Sequence, residues 1–268
     1  EFRRVLFRSK KNKPILLSSG YLPNFTAGLT FFIAVAATNL FHQGNWQRVY
    51  AAKSNEVLNK SLIISFFIII PIVFIMGFCG LVAVSINSSV IPDLAFFSLL
   101  LKEENSMMSV IVIILAISLT ISSIDTLINA ISSLIIVDGN KVLKFKGDYL
   151  KLSKKIIILL STIALLIASK GLSILYLFLL ADLLCCAAVL TVFYSFYDRK
   201  LSEKNAYISV IIGLFVGLLL FPSPDFSKSI LIGILFPANN FPAFMSQSLL
   251  FISFLLATFV PIVTWKIK

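Results

Sequence analysis

Histidine is almost absent from this chain, and charge is scarce. His42 is the one histidine in 268 residues, so a histidine-built zinc centre or catalytic site has almost nothing to build with. The three cysteines, Cys79, Cys185 and Cys186, fall inside apolar runs at no metal-ligand spacing. The adjacent pair reads as small, adaptable packing material. Charged residues make up 13% of the sequence and apolar ones 59%, with a mean hydropathy of +0.99. A soluble domain averages ~25% charged and ~45–50% apolar, which excludes that class and leaves a polytopic all-α membrane protein in a lipid bilayer. The formal net charge of +11 does not point to nucleic acid, because the lysines stand between apolar runs and not along one basic face.

A secretory leader is also lacking at the start. Glu1-Phe2-Arg3-Arg4-Val5-Leu6-Phe7-Arg8-Ser9 has no apolar h-region and no cleavage site. Val5-Leu6-Phe7-Arg8-Ser9 resembles translated sequencing-adapter DNA. Residues 1–9 are therefore set aside as an assembly scar, with the expectation that a longer chain was cut here.

What is present is a set of seven apolar spans, at roughly 25–44, 61–85, 107–137, 152–169, 172–197, 206–221 and 244–265. Each is long enough, or nearly so, to cross ~30 Å of hydrocarbon at ~1.5 Å per residue. Loop charge tests that count. Arg48, Lys53 and Lys60 follow the first span. Lys141, Lys144, Lys146, Lys151, Lys154 and Lys155 follow the third, and Arg199, Lys200 and Lys204 the fifth. Lys266 and Lys268 end the chain. The alternate loops carry Asp93, Lys102, Glu103 and Glu104, then Lys170, then Asp225 and Lys228. Positive charge on every second loop puts those loops and the C-terminus in the cytoplasm, in a multi-pass protein of the cell membrane. Residues 10–24 become an extracellular lead-in. Residues 88–104 read as a short amphipathic helix started by Pro92 and Asp93. The segment 228–242, interrupted by Pro237, Asn239, Asn240 and Pro242, reads as interfacial or re-entrant. Pro71 and Gly77 are expected to bend the second span.

Three places can carry chemistry. In the third span Ser118, Ser122, Asp125, Asn129 and Ser132 follow steps of four, three, four and three, so they share one helical face. Ser123, Thr126 and Ser133 widen it. Small hydroxyl residues alone serve close helix packing and bond back to their own backbone. Asp125 needs another reason, since a mid-membrane carboxylate costs ~2.5–3.5 kcal/mol on insertion scales. Carboxylate, hydroxyl and carbonyl oxygens together suit a small hard cation or a proton. The second place is the end of the first span, where Asn39, His42, Gln43, Asn45 and Gln47 crowd more polar groups than Trp46 and Arg48 need as interfacial anchors. Asp182, near the middle of the fifth span, is the third. It reads equally as a functional group or as the partner of a polar residue on a neighbouring helix. An intramembrane aspartyl protease would use two such carboxylates. However, the Tyr-Asp and Gly-x-Gly-Asp motifs of those enzymes are replaced here by Ile124-Asp125 and Ala181-Asp182, so no enzyme is expected.

Two of these segments carry a resemblance. Phe41-His42-Gln43-Gly44-Asn45-Trp46-Gln47-Arg48-Val49-Tyr50-Ala51-Ala52-Lys53-Ser54 resembles the polar helix end and following loop of the sodium:solute symporter family. Ser122-Ser123-Ile124-Asp125-Thr126-Leu127-Ile128-Asn129-Ala130 resembles that family's sodium-site helix. The resemblance runs over roughly residues 25–265. It implies a LeuT-type fold of paired inverted five-helix repeats. Residues 25–197 would be the second repeat, 198–268 two peripheral helices, and the N-terminal repeat of the same chain would be absent. It further implies Na⁺ ligands at Leu119 (by its carbonyl), Ser122 and Ser123, with a second ion site at Asp125 and Thr126. There the aspartate in place of a hydroxyl would admit Na⁺ or H⁺. Solute contacts would lie near Thr38 and Asn39 on the first span and Asp182 on the fifth, with side chains that do not match a sugar site. The implied function is sodium-coupled symport of a small organic solute, with Na⁺ as coupling ion and no cofactor. The alternatives are proton coupling and a transporter-like sensor.

Overall fold

The computed structural model describes residues 20–101, 106–139, 147–197, 202–224, 226, 228–235 and 243–265. Among them it is all helix and turn, with a single isolated bridge between Pro222 and Ser229. The helices are α1 (Leu22–Phe41), α2 (Gln43–Tyr50), α3 (Asn55–Ile86), α4 (Ala95–Leu100), α5 (Ser106–Ser133), α6 (Tyr149–Ala168), α7 (Ile174–Ser195), α8 (Glu203–Leu220), α9 (Ile230–Leu235) and α10 (Ala243–Trp265). The 3-10 turn Pro92–Leu94 leads into α4, and a π-turn at Leu134–Asp138 prolongs α5. The chain is an all-α polytopic membrane protein. Helices satisfy all their backbone groups internally, which the bilayer interior demands.

Each of the seven expected spans becomes a helix, and among the described residues five helices are long and apolar enough to cross a membrane: α1, α3, α5 with its π-turn, α7 and α8. The other two expected spans are also helical. In α6 the first turns carry Lys151, Lys154 and Lys155. In α10 the apolar stretch is Ser248–Thr264. Helix starts precede the apolar runs because capping side chains place them there. Ser54 accepts from the Val57 amide at 3.3 Å, Asp148 from the Leu150 amide at 2.9 Å, and Ser202 from the Asn205 amide at 3.2 Å. Each cap satisfies amides that the first turn would otherwise leave open. α3 passes through Pro71 and Gly77 without a break. The short helix expected after Pro92 runs to Leu100, with residues 102–104 outside the described set. Of the segment 228–242, α9 is a six-residue helix and 236–242 lie outside the described residues, as do 1–19.

The chain forms two compact units, Glu1–Pro14 with Gln43–Gly171, and Ile15–His42 with Leu172–Lys268. In the first unit α4 rests on α3, and α2 and α6 rest on α5. Most of the apolar surface of α3 and α5 is exposed.

In the second unit α1, α7, α8 and α10 pack together around Ala34, Ala37, Leu179, Leu183, Cys186, Ala187, Phe254 and Ala257. Lipid tails are as apolar as leucine, so close backbone approach, and not hydrophobic exclusion, holds such helices together. Small residues at Ala34, Ala37, Ala187 and Ala257 permit that approach. α8 comes closest to α10. A Cβ on Gly213 would stand 2.6 Å from Pro261 Cγ and 2.9 Å from the Ala257 carbonyl oxygen, and one on Gly217 would stand 2.8 Å from Ala257 Cβ. The Ser253 hydroxyl donates across the same seam to the Gly217 carbonyl at 2.8 Å.

Gly213→Ala and Gly217→Ala are therefore each expected to destabilise the protein, by about 1–3 kcal/mol of overpacking, since backbone blocks the new methyl at Gly213. Gly80→Ala, with open space around it, should leave stability unchanged or slightly raised. Thermal loss of the monodisperse protein in detergent, followed for the three variants, checks the contrast.

Candidate functional site

Within the first unit, α5 carries the row of oxygens. Its hydroxyls bond back along the helix: Ser118 to the Ile114 carbonyl at 2.8 Å, Thr120 to Ala116 at 2.8 Å, Ser123 to Leu119 at 2.9 Å and Thr126 to Ser122 at 3.0 Å. This is the local bonding expected of hydroxyl residues in a membrane helix, and it spends their protons on the backbone. The hydroxyl lone pairs are left available to an electropositive group. It also brings two of the expected ligand atoms together, since Ser123 Oγ sits on the Leu119 carbonyl oxygen. The Ser122 hydroxyl makes no hydrogen bond among the described residues. Asp125 Oδ2 accepts from the Asn129 amide at 3.3 Å, one turn on. Leu119, Ser122, Ser123 and Asp125 are exposed and Thr126 is half-buried, so the row lies on an open face of the unit. A single helix surrounds a cation on one side only. Among the described residues no three of His, Cys, Asp and Glu come together as a metal-holding group.

The second unit holds the other expected residues. Thr38, three residues before the end of α1, donates its hydroxyl to Asp182 Oδ1 of α7 at 2.5 Å. Asp182 is 6% exposed, and Thr38 is half-buried. The sequence left Asp182 open between a functional group and a structural pairing, and Thr38 is the partner. Asn39 sends its side-chain amide to the Val35 carbonyl of its own helix at 2.8 Å. Cys185 and Cys186 follow Asp182 on α7, and the buried Cys186 thiol lies 3.8 Å from the Ile33 carbonyl oxygen of α1. Asp125 and Asp182 belong to different units, and each bonds a residue that is not a carboxylate.

Two features escaped the sequence reading. The first is a break. α1 stops at Phe41, His42 adopts an extended conformation (ψ 103°), and α2 restarts at Gln43. The His42 amide caps the Asn39 carbonyl at 3.3 Å, while its Nδ1 is buried with no partner. The polar cluster Asn39–Asn45 with Gly44 was the available signal, read there only as a helix end. The second is a cavity of about 530 Å³ between the last turns of α7 and the first turns of α8. Thr191, Ser195, Glu203 and Tyr207 line it among smaller apolar side chains. The Thr191 hydroxyl there is buried without a partner. No motif marks it, because it exists only where two helices diverge.

The chain is 26% identical, over 195 aligned residues, to the spermidine transporter DUR31 of Candida albicans. The alignment covers 69% of this chain and 37% of that relative. The chain thus spans a little over a third of the length of the transporter it matches. No family model matches, and no solved structure does. The distant likeness, together with the apolar helices, supports a membrane transporter and speaks for transport over enzyme chemistry.

Removing the hydroxyl of Thr38 would leave Asp182 buried without its donor. Thr38→Val should cost about 1–3 kcal/mol and Thr38→Ser almost nothing. Combining Thr38→Val with Asp182→Leu should recover part of the loss. Detergent unfolding midpoints of the wild type, Thr38→Val, Thr38→Ser, Asp182→Leu and the double variant check the cycle.

Proposed function

We propose that this chain is part of a secondary transporter that couples inward Na⁺ flow to uptake of a small organic solute by alternating access. The observation that carries the reading is the oxygen row of α5. Hydroxyls and a carboxylate belong to exposed residues of a helix otherwise built mostly of Ile, Leu and Val. Such groups are expensive at membrane depth unless they serve an ion or a partner helix. In this reading Leu119, Ser122 and Ser123 hold Na⁺ from one side, and a helix of the preceding repeat supplies the other side. Binding then fastens the two repeats, and release to the cytoplasm loosens them.

The resemblance to the sodium:solute symporter family supports the same assignment, with 25–197 as the second inverted repeat and the last two membrane helices peripheral. The likeness to a membrane transporter agrees with it. The lysine-rich alternate loops support a cell-membrane protein with the C-terminus in the cytoplasm. Thr38, Asn39 and Asp182 form the solute-side group. A second reading, proton coupling, rests on Asp125, a group that can carry a proton where the family's second ion site has a hydroxyl.

Binding of radioactive sodium to the transporter that carries both repeats, purified in nanodiscs, and ion-driven uptake by it in vesicles test both. Ser122→Ala and Ser123→Ala should each weaken sodium binding about tenfold, ~1.4 kcal/mol. Sodium affinity unchanged in both variants removes the Na⁺ assignment. Asp125→Asn should leave that affinity within a few-fold if α5 binds sodium through the serine pair. If Asp125 instead carries the coupling proton, the same substitution abolishes proton-driven uptake while sodium has no effect on the wild type.

A further inference from the structure

The cavity between the last turns of α7 and the first turns of α8 has a depth and a polarity gradient. α7 has 22 residues and α8 has 18, so they run ~33 and ~27 Å at ~1.5 Å per residue, close to the ~30 Å of a bilayer's hydrocarbon. The end of α7 and the start of α8 therefore stand at headgroup level, and the cavity descends from there. Ser195 and Glu203 line it at that level, Thr191 and Tyr207 one turn further in, and Ala188 and Val210 another turn beyond. Charge gives way to hydroxyl and aromatic groups and then to aliphatic ones. A phospholipid presents its head, ester and chain in the same order.

The hydrogen-bonding groups along that gradient are specific. At the mouth, the Ser195 hydroxyl gives its proton to the Val192 carbonyl at 2.6 Å, so its oxygen meets any further partner as an acceptor. Glu203 is exposed, and a carboxylate also only accepts. Two acceptors on two helices, with a tyrosine ring one turn in, suit a cation that carries N–H groups. One turn deeper the need reverses. The Thr30, Thr126, Thr162 and Thr258 hydroxyls bond to the carbonyl four residues earlier in their own helices. That of Thr191 does not, and it is buried without a partner. The depth at which it waits for an acceptor is that of a phospholipid's ester carbonyl.

We propose that this cavity seats a phospholipid of the surrounding bilayer whose head carries a primary ammonium. The ammonium lies between Glu203 and Ser195, and the start of one acyl chain runs inward along Ala188 and Val210. At about 530 Å³ the space falls within the ~300–1,000 Å³ of pockets that hold small molecules, enough for the head and the upper part of one chain. Head chemistry decides among the lipids. A choline head has the charge but no N–H for the Ser195 oxygen. A glycerol head has no cation to meet Glu203, and its phosphate repels that carboxylate. In an ethanolamine head the ammonium satisfies both acceptors, while the positive end of α8 lies at the same level for the phosphate. The proposal requires only that the chain lie in a membrane, so it is independent of the ion site on α5.

The test uses the full transporter that contains this chain, purified in detergent and stripped of lipid. The probes are phosphatidylethanolamine and phosphatidylcholine with the same acyl chains, and native mass spectrometry reads the affinity for the first lipid bound. The ethanolamine lipid should bind the wild type several-fold more tightly than the choline lipid. Glu203→Gln, at an exposed position, should erase that difference by weakening the ethanolamine lipid alone. Ala206→Phe, which fills the cavity, should weaken both about tenfold. An ethanolamine lipid with a diazirine at the top of its chain should label α7 or α8 beside the cavity in the wild type. Equal affinities of the two lipids for the wild type, a preference kept in Glu203→Gln, or label confined to other helices would each overturn the proposal. So would competition by glycerophosphoethanolamine, a head without chains, since the site would then belong to a soluble amine. Should Ala206→Phe fail to fold, Glu203→Gln and the labelling decide by themselves.

Discussion

A bilayer interior contains no water to complete a hydrogen bond, and each feature described above is an answer to that shortage. The backbone answers with helices. Hydroxyls in α5 answer by turning back on the carbonyls four residues earlier, and the Thr30 and Thr258 hydroxyls in the other unit do the same at 2.8 Å each. Ser253 answers by reaching across to α8. Asp182 can answer only in part, because one threonine cannot fill a carboxyl group. Where the shortage stays unresolved, at Asp182, at His42 Nδ1 and at the Thr191 hydroxyl, the protein departs from what packing alone requires.

The two units resolve the second requirement, helix association, very differently. Around α7 alanine and cysteine are set among Leu179, Leu183 and Phe254, and α8 meets α10 closely enough that a methyl group at Gly213 has no room. Dispersion between well-fitted surfaces does the work that hydrophobic exclusion does in water. Around α3 and α5 the surfaces are Ile, Leu and Phe and most are exposed. Large branched side chains suit lipid as well as protein, so these helices gain little by pairing. The polar row of α5 is the exception on that surface, which is why it reads as a contact or ion face and not as a lipid face.

Much of this was legible in the sequence, for reasons that also mark the limit. Apolar runs fix the existence of every long helix, since nothing else in a bilayer can absorb so many unbroken Ile and Leu residues. Their starts were misjudged by up to six residues at α3, because Ser54, Asp148 and Ser202 draw helix into polar sequence where hydropathy carries no signal. The face shared by Ser118, Ser122, Asp125 and Asn129 is a property of one helix and could be counted off. The Thr38–Asp182 bond could not, as 144 residues separate its partners and no local pattern records a tertiary meeting. The break at His42 hid for the opposite reason. A helix end and a helix interruption share the same polar vocabulary, and only the resumption at Gln43 tells them apart.

The arrangement of α8 has a mechanical consequence. Its second half is fastened to α10 at Gly213 and Gly217, while the opening turns that carry Glu203, Ala206 and Tyr207 border the cavity beside α7. A rod clamped along one half and unsupported along one side of the other is a cantilever. Sideways load on the membrane near those opening turns is met by the stiffness of the helix, and deflection grows with distance from the clamp. The void is the clearance into which that deflection can go.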